Sequence, residues 1–221
     1  MSEPAGKLFA LVIAKYFTKQ QTVNNTMMHF ITPKHHWNYF LAIEEDLKRM
    51  SRYIEFCEDN LGTYSIELAH ILLSASSEID VVLKQLCKLL APGGDYDNID
   101  DYRQTVRKYA PNFSEEKVQI PRLGLSYCPW ENWKDDRNPG WWKSYNKVKH
   151  ERNLHYAKAN LQNTINAVSA LLIAVVYYYK YAFAAERGRD VSFRDTTRQL
   201  ESSLDTFMFL QADYYYQRLI M

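Results

Sequence analysis

From Trp37 to Asn60, apolar residues recur at three- and four-residue steps. Phe40, Ile43, Leu47, Met50, Ile54 and Cys57 follow the spacing of one buried face on an α-helix. Gly62 follows where a helix stop belongs. A second stripe, Ile71, Leu72, Ala75, Ile79, Val82, Leu83, Leu86 and Leu90, predicts a helix from about Tyr64 to Ala91, ended by Pro92-Gly93-Gly94. The connection between the two is short, which predicts antiparallel neighbours. A third helix is predicted from Trp141-Trp142 to about Glu186, with Leu161, Ile165, Val168, Leu172, Val175, Val176 and Tyr179 as its stripe. At more than forty residues it would span roughly 60 Å, so a bend is expected. A fourth helix is predicted from Asp195 to Ile220, carrying Leu200, Leu204, Phe207, Met208 and Leu210.

Two stretches break this rhythm. Residues 1–36 form an arm in which Leu8–Phe17 has strand-like content and Asn24-Asn25 marks a turn. Residues 92–141 hold five of the seven prolines, and four of the five tryptophans fall between Trp130 and Trp142. This insert is expected to be irregular and packed by its own aromatics, with a short helix at Ile99–Tyr109 and extended chain over Val118–Cys128. The fold class is therefore all-α: an antiparallel bundle of four long helices over 37–221, with an irregular aromatic-rich insert and a short β element near the N-terminus.

Composition narrows the function classes. The 221 residues carry 27 Lys+Arg against 26 Asp+Glu, a net charge of +1, which argues against wholesale electrostatic coating of nucleic acid or membrane. With 47% hydrophobic residues the chain can fill a core, and disorder is excluded. Cys57, Cys87 and Cys128 stand apart, as free thiols do in a reducing compartment. The N-terminus lacks the pattern of a signal peptide. Ala167–Tyr179 is an apolar run of thirteen residues, short of the roughly 20 that a membrane span needs. A cytoplasmic protein without a membrane partner is expected. No glycine-rich phosphate loop, nucleophile elbow, H-E-x-x-H or paired-cysteine motif occurs, so neither a cofactor nor a metal is expected.

The densest polar cluster opens the third predicted helix, from Tyr145 to Asn153. At about 100° per residue, Asn146, Lys149, His150 and Asn153 share a face, and threes and fours continue it into Leu161 and Ile165. These polar groups are therefore expected to point at least partly toward the bundle. On the second helix Glu78 falls on the apolar stripe, where a carboxylate needs a cationic partner. Lys149, His150 and Arg152 are the expected partners. Such a pair admits two meanings. It can fix the register of two helices, or the carboxylate can orient a residue that handles a phosphodiester. A metal-free ribonuclease needs a base, suited to His150, and cations on the phosphate oxygens, suited to Lys149 and Arg152.

The combination of Ser77-Glu78-Ile79-Asp80, Lys84 and Cys87 with Trp142 and Tyr145-Asn146-x-x-Lys149-His150-x-Arg152 resembles the HEPN superfamily over roughly residues 37–185. These are all-α domains of toxin and phage-defence ribonucleases and their nucleotide-binding companions. Active members carry Arg, four to six residues, then His; here Lys149-His150-x-Arg152 takes that place. The resemblance implies RNA cleavage without a metal, with His150, Arg152 and Glu78 as catalytic residues and Lys149 and Asn146 on the phosphate. It also implies a homodimer with the motif helices facing each other. The alternative is a non-catalytic module in which the same cluster is structural and the insert meets a protein partner.

Overall fold

The structure, a computed structural model of the chain, describes residues 33–200 and 207–210. The expected strand at Leu8–Phe17 and the end of the predicted fourth helix, 211–220, lie outside the described residues. Contacts divide the chain into units 1–33 and 34–221, and every described element belongs to the second. That unit is mostly helical, with one small antiparallel sheet.

Helix α1 (His35–Met50) buries Trp37, Phe40, Ile43, Leu47 and Met50 as the periodicity predicts, but it ends at Met50 rather than Asn60. Ile54 and Cys57 lie in irregular chain beyond it, followed by a single 3-10 turn at Glu58–Asn60. Helix α2 (Ile66–Leu90) begins at Ser65, whose hydroxyl accepts the Leu68 N–H at 3.1 Å. It buries the predicted stripe from Ile71 to Leu86, and Gly93 turns the chain out with φ +90°. Helix α3 (Ile99–Tyr109) opens on a reciprocal cap between Asn98 and Asp101. Strands β1 (Val118–Ile120) and β2 (Leu125–Tyr127) pair antiparallel, Val118 opposite Tyr127, around a turn that places Gly124 at φ +66°.

The long third helix is two helices. Helix α4 (Gly140–His155) loses helical geometry at Glu151, with φ −138° and ψ 54°. A single 3-10 turn at Tyr156–Lys158 follows. Helix α5 (Leu161–Arg187) then restarts on Asn160, whose side chain accepts the Asn163 N–H at 3.0 Å. Residues 167–177 of α5 are buried without interruption, as in a helix that is apolar all round and central to its fold. Among the described residues α5 has the length and apolarity of a membrane span, yet 72% of that stretch is covered by the rest of the protein.

The fourth helix also departs from expectation. Helix α6 (Phe193–Gln199) is seven residues long. Its apolar successors enter the core differently: Phe207 and Met208 are buried, and β3 (Phe209–Leu210) pairs antiparallel with β1, giving the order β2-β1-β3. Helix spacing in this segment coincides with residues that a strand and its approach can equally bury.

Contacts at two levels set the direction of the central helices. Near their starts, the Thr164 hydroxyl of α5 donates to the Leu68 carbonyl of α2. Farther along, His36 of α1 touches Glu78 and Gln85 of α2 and the rings of Tyr178 and Tyr179 of α5. Helices α2 and α5 therefore run side by side in the same direction, with α1 reversed against α2. The insert is held by aromatics: Phe113 stacks on Trp133, tilts against Trp130 and meets Tyr177 of α5 edge-on at 4.9 Å. The Trp130 indole donates to the Ala170 carbonyl and the Trp141 indole to that of Pro129.

Candidate functional site

Glu78 is largely buried and ion-paired, as its position on the stripe requires, but its partner is His36. The Nδ1 of His36 lies 2.5 Å from Glu78 Oε1, and Nε2 lies 3.3 Å from Gln85 Oε1. Both members of the ion pair are 15% exposed. The bond to Glu78 is the main reason the His36 pKa is raised, against the opposing effect of burial. With acceptor oxygens beside both ring nitrogens, the protonated ring satisfies both. The edge of His36 also meets the Tyr178 ring at 5.0 Å.

The expected link from Glu78 to Lys149, His150 or Arg152 is thus not formed. The reason lies in α4. Its buried face is Trp141, Trp142, Tyr145 and Val148, and that face sets the rotation of the helix. Lys149, His150, Arg152 and Asn153 are exposed, while Asn146 is half-buried and donates to the Trp142 carbonyl at 3.2 Å. Counting the polar face into Leu161 and Ile165 assumes one straight helix. The irregular geometry at Glu151 and the 3-10 turn destroy that register.

His36 is the residue that sequence reasoning misses. Assigned to the N-terminal arm, it has no helix phase. Starting α1 at His35 puts His36 one residue before Trp37 and leaves it at the margin of the buried stripe. Lys34 and His35 before the apolar run offer no capping side chain to reveal that start.

The other predicted residues remain together as a basic helix end. Lys143, Lys147, Lys149, His150 and Arg152 are all exposed over ten positions. Among the described residues none of these five side chains meets a carboxylate; Lys149 lies over the Tyr145 ring at 5.5 Å. Glu151, the acid among them, is 3.4 Å from His155 Nε2. The neighbouring surface is aromatic and apolar. Tyr64 meets Tyr156 edge-on at 5.5 Å while about half exposed, and Leu154 is 70% exposed. Cations free of acidic partners, next to accessible rings, can hold phosphate oxygens and receive a stacked base.

Among the described residues, no three His, Cys, Asp or Glu side chains are placed to hold a metal ion. Arg103 is structural. Nearly buried, it donates to Asp100, Asp136 and Asn138 and so ties α3 to the loop before α4. The chain matches no family model, no curated protein and no solved structure.

Proposed function

We propose that this is a HEPN-like cytoplasmic helical protein that cleaves RNA without a metal, in a prokaryotic defence or toxin setting, at the basic end of α4. On this reading α1, α2, α4 and α5 are the helices of an antiparallel bundle, and the shared direction of α2 and α5 supports placing them second and fourth. The observation that carries the function is the group of exposed cations, Lys147, Lys149, His150 and Arg152, that have no carboxylate partner among the described residues. Lys149 and Arg152 hold the phosphate, Asn146 supports the turn through Trp142, and His150 takes the 2′-hydroxyl proton. Glu78 is taken up by His36 and does not orient His150. Since no described side chain of the same protomer orients His150, the cleft is completed by a second copy with its α4 opposed.

A second reading rests on the His36–Glu78 pair. It pins α1 to α2 and consumes the carboxylate that a catalytic pair would use, as in a non-catalytic module that engages a protein partner.

Total RNA incubated with purified protein in EDTA separates these readings. Cleavage is expected from the wild type and should fall by about 100-fold or more in His150→Ala, the scale of a lost acid–base group. Lys149→Ala and Arg152→Ala should each weaken RNA binding and lower its salt dependence. Intact RNA with the wild type, or unaltered cleavage by His150→Ala, removes the catalytic reading.

A further inference from the structure

A second group of cations, none of them from α4, lines a groove where three parts of the chain meet. Lys48, Arg49, Ser51 and Arg52 at the end of α1, Arg122 and Leu123 in the β1–β2 turn, and Phe207 before β3 line a groove of about 350 Å³, joined by Glu45. That size lies within the range of small-molecule sites.

The local role of the first two cations is evident. Lys48 and Arg49 sit in the last turn of α1, where the helix dipole favours positive charge, and each meets a carboxylate one turn earlier. Lys48 is 3.3 Å from Glu45, and Arg49 is 3.9 Å from Asp46. Arg122 has neither reason, and Arg52, two residues past the helix end, has at most the dipole. Arg52 lies beyond the helix, and Arg122 comes from the hairpin turn, 70 positions further along the chain. Both are exposed, and neither has an ion pair with a described residue. The fold therefore brings four cations onto one concavity with Glu45 as the only lining carboxylate among the described residues. Like charges gathered this way repel, and a multiply charged anion reverses that cost. Two guanidinium forks from different elements suit the several oxygens of linked phosphates better than a single carboxylate.

The inner wall is packed into the core. Phe207 is 3% exposed, and the following Met208 N–H donates to the buried Glu44 carboxylate at 2.8 Å. Phe207 also meets Phe56 edge-on at 6.4 Å. An apolar wall facing a cationic rim excludes water from one side of the charges and strengthens their hold on an anion.

We propose that this groove binds a compact oligophosphate, the group shared by nucleoside triphosphates and inorganic triphosphate. Arg52 and Arg122 supply its forked contacts, and Lys48 and Arg49 complete the charge. The groove shares no residue with the α4 basic end and does not depend on RNA cleavage there.

Calorimetric titration of the full chain with inorganic triphosphate tests this, with ATP as a parallel arm, both without added metal at low salt. Saturable binding is expected, accompanied by a rise in Tm. The Arg52→Gln/Arg122→Gln double variant should bind about tenfold more weakly or worse, while Glu45→Gln binds more tightly because it removes the opposing charge. Equal affinity for the two ligands assigns the groove to the phosphates alone; tighter ATP adds the nucleoside to the contact. Both outcomes support the proposal. Lys149→Ala/Arg152→Ala serves to separate the two sites and should bind triphosphate as the wild type does. The proposal is overturned by no saturable binding, by equal binding in the Arg52/Arg122 variant, or by loss of binding in the α4 variant.

Discussion

Glu44 is a carboxylate in an apolar wall, 5% exposed between Ile43 and Leu47. Burial is the largest influence on it and pushes its pKa up to about 7, with the N–H groups of Met208 and Phe207 opposing. The folded state thus holds this proton more tightly than the unfolded chain, whose value is near 4.5. Its contribution to stability is complete below about pH 4.5 and fades as pH rises toward 7, a difference on the order of 3 kcal/mol. The raised pKa of His36 acts in the same direction: its contribution is present below 6.5 and is lost as pH rises through the folded value. Glu44→Gln keeps an oxygen for the Met208 N–H but cannot ionise. Thermal melts from pH 5 to pH 8 should show a smaller loss of Tm in this variant than in the wild type; parallel curves would exclude the role of Glu44. Neither residue is legible in the sequence as a buried titrating group. Glu44 sits beside a helical stripe defined by its apolar members, and its acceptor role depends on backbone some 160 residues away.

Among the elements, the break between α4 and α5 shapes the candidate site. It converts an apparent inward-facing motif into an exposed one. The break is stabilised on its far side by Asn160, which caps α5, and by Leu161 and Gln162, whose N–H groups donate to Thr63 and Leu61. Asn160→Ala should cost about 1 kcal/mol in urea unfolding, and Asn160→Ser should recover most of it. An unchanged midpoint in the alanine variant would show that the cap is not what starts α5. The cap is visible in the sequence as a polar residue three positions before an asparagine, but the long apolar stripe after it invites a single helix. Periodicity reports which face is buried; a few residues without helical geometry change the phase while leaving each half of the pattern intact. For α2 the predicted face agrees with the buried one, and for α1 it agrees as far as Met50, where the helix stops short of the predicted Asn60.

Across the molecule, the insert is part of the core. Phe113, Trp130, Trp133 and Tyr177 form one aromatic cluster, and the Tyr177 hydroxyl also donates to the buried Glu116 at 2.7 Å. Removing the Phe113 ring should cost about 3–5 kcal/mol, the usual range for a buried aromatic. The near-UV circular dichroism of Phe113→Ala should lose tryptophan intensity at temperatures where the wild type is still folded. A melt within a degree of the wild type would mean that the insert does not couple to α5. The surplus of Trp and Pro in and beside 92–141 identifies an ordered insert, yet its attachment to α5 and its pairing with β3 involve partners distant in sequence.

Local rules account for the apolar faces of α1 and α2, the extent of α3, the extended chain at β1 and β2, and the need of Glu78 for a cation. All of these are written in the sequence, through helical and strand periodicity and the cost of burying an unpaired charge, which act over a few residues. Tertiary packing selected which cation answers Glu78, where the basic residues of α4 face, and how Phe207–Leu210 enters the core. It also brought Arg122 to the end of α1. Those outcomes depend on contacts between segments far apart in sequence, and a short irregular turn is enough to redirect them.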